Sequence, residues 1–319
     1  MRHLPMKCSR YRSKLLRLGI SPRYDSRTVL TQSHDRLANQ PMDTSLEAAI
    51  VENIRTALAE DIGSGDLTAQ LLPADLTATA QVITREPAVL AGRPWFDACF
   101  QSLAPACSLT WLAAEGEAVA AGALLVEVSG QARALLSAER PALNFLQTLS
   151  AIATQTRAYV EAVAGTQAHI LDTRKTLPGL RHAAKYAVRM GGGENQRIGL
   201  FDGILIKENH IAAAGSIAAA LFAAQRLAAP GVSIQIEVES LAELEQALHA
   251  GARLVLLDNF STDMMREAVR LTRGRAELEA SGGVDLHGVR AIAQTGVDRI
   301  SIGLLTKNIH AIDLSMRFA

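Results

Sequence analysis

Short apolar segments alternate with longer amphipathic ones over the second half of the chain, and this alternation constrains the fold more than any other feature. The candidate strands are residues 168–171, 203–206, 233–238, 253–257, 277–280 and 299–302. Helical patterns lie between them, at residues 180–190, 211–227, 241–250, 263–271 and 286–294. Strands that alternate with helices form a parallel sheet with helical crossovers. Six or seven such units suit a closed or nearly closed barrel better than a doubly wound sheet, and no G-x-G-x-x-G motif opens a helix after the first strand, which weakens the dinucleotide-binding alternative.

The segment before the barrel has a different pattern. A helix is predicted to begin at Thr44 and Ser45, with an apolar face that includes Leu46, Ile50 and Ile54. Strand-like segments follow at residues 78–83, 88–91, 109–113 and 123–128. A chain of 319 residues allows one large domain or two modest ones.

Residues 1–41 form a basic leader without sustained apolar periodicity, which contains nine Lys and Arg residues and only two Asp residues. We interpret it as a disordered extension, or as the product of a start site placed too early, because Met42 directly precedes a helix opening. A targeting or interaction arm is the alternative, since Arg- and Ser-rich leaders with few acidic residues do occur.

Composition excludes several functional classes. The 32 basic residues balance the 32 acidic ones, which argues against a nucleic-acid partner. The 3 cysteines form no C-x-x-C pair, so a disulfide framework is not expected and a reducing, cytoplasmic setting is favoured. The chain has no H-x-x-x-H pair, so the sequence predicts no zinc site built by the protein. The longest charge-free runs fall short of the roughly 20 residues that span a bilayer, so no membrane partner is expected.

Polar and glycine residues follow the candidate strands, where the active site of a parallel barrel lies. They are Thr173, Arg174, Lys175, Lys207, Glu237, Asp258, Ser281, Gly282, Gly283 and Gly303. Arginine and lysine at these ends would clamp carboxylates or phosphates, and axial carboxylates need a cation, a metal or sugar hydroxyls as partners. The glycine turn would offer backbone N–H groups to a phosphate. We therefore expect a substrate with several negative charges and a ribose-like polyol.

Two of these features have more than one interpretation. Lys207 is a Schiff-base amine, a permanent cation that faces an anionic substrate, or a lysine at the barrel rim. The triple glycine at residues 191–193 is a helix stop before a flexible loop, or a place where the backbone approaches an anion closely. No serine–histidine or cysteine–histidine relay is evident, so acyl transfer is disfavoured.

Several ordered motifs resemble the signatures of the quinolinate phosphoribosyltransferase family. They are LDTRKTLPGLR at 171–181, KYAVRMGGG at 185–193, LIKENH at 205–210, LDNF at 257–260, SGG at 281–283, AERPALN at 138–144 and IGLLT at 302–306. The resemblance covers roughly residues 48–318 and excludes the basic leader. It implies an open parallel α/β barrel, type II phosphoribosyltransferase-like, over residues 143–309. A smaller α/β domain would cover 42–142, joined by the segment 310–319.

The resemblance also implies a reaction and an assembly. Quinolinate and 5-phosphoribosyl 1-pyrophosphate would give nicotinate mononucleotide, pyrophosphate and carbon dioxide, a step of de novo NAD biosynthesis. Mg²⁺ would arrive with the phosphoribosyl donor rather than at a site built by the protein alone. The protein would be a homodimer whose active sites each draw on both subunits.

Site roles follow from the same motifs. Quinolinate would be bound by Arg140 of the neighbouring subunit and by Arg174, Arg197 and Lys207, and Thr173 would be a further substrate-binding residue. The catalytic group would be Lys175 at the donor phosphates, with Glu237 and Asp258 at the ribose hydroxyls and the magnesium–donor complex. The 5′-phosphate would be bound by Ser281, Gly282, Gly283 and Gly303.

One position departs from the family pattern, which usually reads Asn-His-Arg where this chain has Asn195, Gln196 and Arg197. A glutamine donates hydrogen bonds but does not carry a proton near neutrality. Two alternatives stay open: another enzyme of this scaffold, such as a molybdate-transport-associated relative or a nicotinate phosphoribosyltransferase, and a non-catalytic ligand-binding protein. Gln196 favours the second alternative, whereas Glu237 and Asp258 oppose it.

Overall fold

The structure, a computed structural model, describes residues 44–319, so the predicted leader of residues 1–41 lies outside the described residues. The first helix, α1 (Thr44–Ile62), buries Leu46, Ile50 and Ile54. These residues recur at intervals of four, which places them on one face of a helix. The predicted helix and its buried face are confirmed.

A small antiparallel sheet follows α1. The elements of this region are a 3₁₀ turn (Ala69–Leu71), β1 (Thr77–Thr84), β2 (Ala88–Val89), α2 (Arg93–Leu103), β3 (Ser108–Trp111), β4 (Ala118–Val119) and β5 (Leu124–Gln131). β2 and β4 pair with each other in a separate two-stranded sheet. β5 pairs with β1 on one side and with β3 on the other. All four strand-like segments predicted here are strands, which confirms a smaller α/β domain ahead of the barrel.

One long helix, α3 (Ala132–Ala162), connects this sheet to the barrel. Its 31 residues include Pro141 and run across the predicted domain boundary at 142/143. At the other end of the chain, β12 (Leu314–Phe318) pairs with β1, so the C-terminal segment extends the N-terminal sheet. The exact division into domains stays a prediction.

The barrel elements follow α3. They are β6 (His169–Leu171), α4 (Arg181–Met190), β7 (Gly203–Ile206), α5 (Glu208–Ala214), α6 (Ile217–Leu227), β8 (Ser233–Val238), α7 (Leu241–His249), β9 (Leu254–Asp258), α8 (Thr262–Thr272), β10 (Glu277–Ser281), α9 (Val289–Ala293), β11 (Arg299–Ser301) and α10 (Leu304–Lys307). Each strand lies within about a residue of its predicted bounds. No helix among residues 44–319 is both long and apolar enough to cross a bilayer.

The six barrel strands form one parallel sheet in the order β6-β11-β10-β9-β8-β7. β6 and β7 are the two edges, so the barrel is open between its first two strands. On β9, Val255 and Leu257 are fully buried, while the alternate residue Asp258 is only partly buried. This alternation places one face of the sheet against the helices and the other towards the axis. The predicted open parallel barrel is confirmed.

The helix predicted over residues 211–227 is wrong in one respect, because two helices occupy this stretch. α5 ends at Gly215, whose φ of 87° lies in the left-handed region, and α6 begins after Ser216. The Ser216 hydroxyl accepts a hydrogen bond from the Ala219 amide at 3.1 Å, which caps α6. A glycine followed by a capping serine ends one helix and starts another, and the alanine-rich flanks conceal this break in the sequence.

Candidate active site

The residues predicted for the site lie, with two exceptions, at the carboxyl ends of the barrel strands or in the loops that follow them. Parallel strands present these ends at one rim, so the loops after β6 to β11 meet there. One exception is Arg197, which lies in the segment between α4 and β7. The other is Arg140, which lies on α3. Its guanidinium is 3.9 Å from the carboxylate of the neighbouring Glu139, and its side chain is 56% exposed.

The turn after β6 is anchored by a buried ion pair between Asp172 and Lys185 of α4. Asn195 and the Gln196 amide also donate hydrogen bonds to Asp172, at 2.6 and 2.9 Å. Burial raises the pKa of Asp172 and lowers the pKa of Lys185, and each shift is opposed by the charge of the partner. This pair, whose role the sequence analysis missed, fixes the backbone from which Thr173 and the following residues project.

Within the turn, the Lys175 amide donates to the Thr173 hydroxyl at 3.1 Å, and the Thr306 hydroxyl donates to the Lys175 carbonyl at 2.8 Å. Gly303 lies against the same turn, because a Cβ there would be 3.0 Å from Lys175 Cδ and 3.6 Å from Thr173 Oγ1. The loops after β6 and β11 are therefore in contact. Lys175, which is exposed, lies beside the backbone predicted to bind the 5′-phosphate.

Arg174 and Arg197 lie close enough for their charges to interact. Burial lowers the pKa of Arg197, the charge of Arg174 lowers it further, and Asp202 opposes both effects. Arg197 is held by a 2.8 Å hydrogen bond from Nη1 to the carbonyl of Gly203, at the start of β7. Two guanidinium groups held together repel each other, and a bound dicarboxylate would relieve that repulsion while accepting charge-assisted hydrogen bonds.

Lys207 and Glu237 form an ion pair at the ends of β7 and β8. The Lys207 ammonium donates to the two carboxylate oxygens at 2.9 and 2.6 Å. The Lys207 side chain is 45% exposed, whereas that of Glu237 is 10% exposed. A lysine paired in this way supplies a cation at the rim, which favours the permanent-cation interpretation over a Schiff-base amine.

The loops after β9 and β10 interlock. Ser281 pairs in register with Asp258, and the Asn259 amide donates to the Ser281 carbonyl at 3.1 Å. Gly282 has a φ of 99°, and a Cβ there would collide with the Asn259 side chain. Because side chains are excluded both by this backbone and by Asn259, the turn presents bare peptide groups, as a phosphate loop requires.

The triple glycine has a packing role. A Cβ on Gly191 would lie 2.5 Å from the Ala153 carbonyl oxygen and 2.6 Å from Thr156 Cβ. A Cβ on Gly193 would lie 2.8 Å from Thr156 Cγ2 and 2.9 Å from Val188 Cγ1. The segment after α4 thus needs glycine to pass close to α3, and the contacts of Gly191 and Gly193 are with protein atoms.

Gln196 enters the barrel from the segment that spans the opening between β6 and β7. Its side-chain amide donates to Glu279 of β10 and, at 3.2 Å, to Gln235 of β8. Gln235 in turn donates to Glu279 at 2.9 Å. Gln235 and Glu279 were missed as site-related residues, although each occupies an axial strand position where a polar residue is unusual.

No cluster of three or more His, Cys, Asp or Glu side chains within the described part of the chain is placed to hold a metal ion. Glu237 and Asp258 lie on adjacent strands and supply the oxygen ligands that Mg²⁺ prefers. Two carboxylates leave most of an octahedral shell to other oxygens, such as those of a pyrophosphate. The residues present therefore fit a magnesium ion that is held jointly with a phosphorylated substrate.

The chain matches two family models in sequence. Residues 66–150 match "Quinolinate phosphoribosyl transferase, N-terminal domain", and residues 152–317 match "Quinolinate phosphoribosyl transferase, C-terminal domain". A similar curated protein is the probable nicotinate-nucleotide pyrophosphorylase [carboxylating] of Bacillus subtilis (strain 168). It is 42% identical over 257 residues, which are 81% of this chain and 89% of that protein.

The fold is also shared with solved structures. The nicotinate-nucleotide pyrophosphorylase of Francisella tularensis is 45% identical with a TM-score of 0.84, and the match covers 88% of this chain and 98% of that one. Human nicotinic acid phosphoribosyltransferase, at 16% identity and a TM-score of 0.55 over 84% of this chain and 73% of that one, shares the fold alone. With both domains matched in order and the motif residues gathered at one rim, the chain belongs to the quinolinate phosphoribosyltransferase family.

Proposed function

We propose that the chain transfers the phosphoribosyl group of 5-phosphoribosyl 1-pyrophosphate to the ring nitrogen of quinolinate, with loss of carbon dioxide. The products are nicotinate mononucleotide and pyrophosphate, so the enzyme is a pentosyltransferase of NAD biosynthesis. The observation that carries this proposal is the placement of Arg174, Arg197 and Lys207 at the same rim as Glu237 and Asp258. Three cations suit a dicarboxylate, and the two carboxylates suit a ribose whose ring becomes positively charged.

Quinolinate binding uses the arginine pair. The two ring carboxylates accept charge-assisted hydrogen bonds from Arg174 and Arg197, and Lys207 adds a third cation. Thr173 lies in the same turn as Arg174, and its hydroxyl already accepts the Lys175 amide, which orders the turn. This arrangement orients the ring nitrogen towards the ribose and so lowers the entropic barrier to attack.

Transfer forms one bond and breaks another at the anomeric carbon. The pyridine nitrogen supplies the electron pair of the new bond, and pyrophosphate leaves with the pair of the old one. Glu237 and Asp258 lie where the ribose would bind, so their negative charge stabilises the oxocarbenium-like transition state. Lys175 neutralises the departing phosphates, and bound Mg²⁺ would supply further neutralisation of that leaving group. The turn at 281–283, with Gly303, holds the 5′-phosphate through backbone N–H groups.

Decarboxylation follows on the ring and needs no further side-chain chemistry. N-ribosylation leaves a pyridinium, which stabilises the electron pair released when the adjacent carboxylate departs as carbon dioxide. That carbon then takes a proton from solvent, which balances the reaction. Arg174 and Arg197 bind the carboxylates in the ground state, so the protein's contribution here is orientation and exclusion of competing partners.

A direct assay tests the proposal. The purified protein is incubated with quinolinate, 5-phosphoribosyl 1-pyrophosphate and Mg²⁺, and pyrophosphate, carbon dioxide and nicotinate mononucleotide are quantified. Equal amounts of the three products are expected. Nicotinate in place of quinolinate is the control. Activity with nicotinate but not with quinolinate would identify a different phosphoribosyltransferase of this scaffold. Release of no product from either acid would favour a ligand-binding protein.

We also propose a homodimer with shared active sites, in the cytoplasm. Leu67 and Leu71 are each 82% exposed, and Arg133 of α3 binds the carbonyl of the adjoining Leu72. Arg140 lies two helical turns further along α3. The exposed leucines near the start of α3 and the exposed arginine further along the same helix support an isologous interface on this face.

Mixed dimers test this arrangement. Arg140→Ala and Glu237→Gln each remove one residue of the same composite site, so each variant alone should be inactive. Co-expression of the two variants creates mixed dimers in which one of the two sites has both natural residues. Each mixed dimer should therefore have about half of the activity of the parent dimer. Activity that stays at the level of the single variants would place Arg140 and Glu237 in the same subunit's site.

A further inference from the structure

The interior of the barrel contains a buried carboxylate whose partners are amide groups. Glu279 is 1% exposed and lies on β10, on the same strand face as Ser281, below the rim. One of its oxygens accepts hydrogen bonds from both Gln196 and Gln235, and no ion pair joins it to a cation within residues 44–319. A carboxylate buried without a counter-ion is costly unless hydrogen bonds stabilise it. The two amides are therefore its main stabilisation.

The same cluster fixes residue 196 from inside. Its side-chain N–H groups are used by Glu279 and Gln235, its backbone amide donates to Asp172 at 2.9 Å, and its carbonyl accepts Lys185 at 2.7 Å. Both ends of the residue are thus held, one by the ion pair below the turn after β6 and the other by the barrel interior.

The residue that follows carries the chemistry. Arg197 adjoins Gln196, and it lies in the segment between the open edges β6 and β7. Among the described residues, backbone pairing with the sheet reaches this segment as far as Glu194, which forms an isolated bridge with Leu171 of β6. Beyond that bridge, side-chain hydrogen bonds hold Gln196 and Arg197, and Glu279 accepts one of them from Gln196.

We propose that Glu279 is a positioning residue for quinolinate binding, acting through Gln196 and Gln235 to hold the segment that carries Arg197. The proposal rests on the function proposed above, in which Arg197 binds quinolinate. Glu279 does not itself touch the substrate, because Gln196 covers it. A neutral amide at position 196 suits this task, since it donates to Glu279 and Gln235 simultaneously from one nitrogen.

Steady-state kinetics of the full-length protein test the proposal, with each substrate varied at saturating concentrations of the other. Glu279→Ala should raise the KM for quinolinate tenfold or more, while the KM for the phosphoribosyl donor changes less than threefold. Glu279→Gln should restore the KM for quinolinate to within threefold of the parent, because its amide oxygen accepts both hydrogen bonds. Glu277→Ala is the matched control, since Glu277 lies on the same strand but pairs with Arg299; it should leave both KM values unchanged.

The outcomes separate this inference from the proposed function. A parent that releases no pyrophosphate from quinolinate overturns both. An active parent whose Glu279→Ala variant shows equal changes in the two KM values, or none, overturns the inference alone. A Glu279→Gln variant as impaired as Glu279→Ala also overturns it. Should Glu279→Ala fail to fold, Gln196→Ala removes the same link with less disturbance and should give the same split.

Discussion

The Lys207 ammonium lies between the two carboxylate oxygens of Glu237, at 2.9 and 2.6 Å. A cation assigned to quinolinate thus touches a carboxylate assigned to the ribose of the donor. The two half-sites share this contact, so a change in one of the residues should be felt in the binding of both substrates.

We predict that Glu237→Gln lowers kcat by about 100-fold or more, because a charge that stabilises the transition state is removed. Quinolinate should bind at least as tightly as before, since Lys207 no longer has a competing carboxylate. Turnover assays and calorimetric titration measure the two effects. Glu239→Gln, at an exposed position just beyond the same strand, is the control. Weaker quinolinate binding in the Glu237 variant would contradict the prediction.

Arg174→Ala should lose quinolinate affinity more than donor affinity. The cost is that of a charge-assisted, bidentate hydrogen bond, on the order of 1.5–3 kcal/mol. Each substrate is titrated separately into the variant. Arg266→Ala removes an exposed arginine that pairs with Asp263 on α8, and it should change neither affinity. Equal weakening of both substrates would move Arg174 out of the pyridine pocket.

Gln196→His should introduce a pH dependence of quinolinate binding that the parent lacks. The imidazole would lie beside Glu279, whose charge raises the pKa of a neighbouring histidine and extends the charged form towards neutral pH. Binding of parent and variant is compared between about pH 5.5 and 8, a range that brackets the ordinary histidine pKa. The double variant with Glu279→Gln should shift the transition to lower pH. Parallel profiles of parent and single variant would show that position 196 is isolated from the substrate.

Stability should fall with rising pH because of Glu115. This partly buried carboxyl accepts the Gly92 amide at 2.5 Å, and burial raises its pKa from 4.5 to about 7 against the opposing hydrogen bonds. Between these values the folded protein binds the proton that the unfolded chain releases, so stability present below pH 4.5 is lost as the pH rises through about 7. The loss is on the order of 3 kcal/mol.

Urea unfolding of the parent and of Glu115→Gln at pH 5, 6 and 7.5 measures this effect. The unfolding free energy of the parent should fall relative to that of Glu115→Gln as the pH rises from 5 to 7.5. Glu117→Gln, two residues away and exposed, should follow the parent. A constant difference between parent and Glu115→Gln would mean that Glu115 titrates alike in the folded and unfolded states.

Deletion of residues 1–41 should leave folding and turnover nearly unchanged, because the buried face of α1 starts at Leu46. Thermal unfolding and the pyrophosphate-release assay compare the truncated and complete chains. Precipitation of the truncated protein, or loss of most activity, would show that the leader contributes to the enzyme.

The strands were predictable because each is a short apolar run between loop formers, and a local pattern of that kind survives in any tertiary setting. The rim residues were predictable for the same reason, since their place at a strand end is a local property. The role of the triple glycine could not be predicted. Gly191 and Gly193 are needed because they pack closely against Thr156, which is more than thirty residues away in the sequence. The break at Gly215 was concealed by alanines that suit a continuous helix.

The buried cluster was beyond local patterns altogether. Gln196, Gln235 and Glu279 are distant in sequence, and only the curvature of the sheet brings β8 and β10 to one point on the axis. The departure at Gln196 was visible in the sequence. Its partners Gln235 and Glu279 could not be identified from the sequence, so the role of Gln196 became clear only from the fold.

The opening between β6 and β7 has an evolutionary consequence. Beyond the bridge at Glu194, this segment is held by side-chain hydrogen bonds, which point substitutions can change without disturbing the backbone hydrogen bonds of the sheet. Residues 196, 235 and 279 form one hydrogen-bonded unit, so a substitution at one of them has to match the donors and acceptors of the other two. Substitutions in this segment can therefore change the binding of the pyridine acid. The turn at 281–283, which would bind phosphate through peptide groups, is not altered by them.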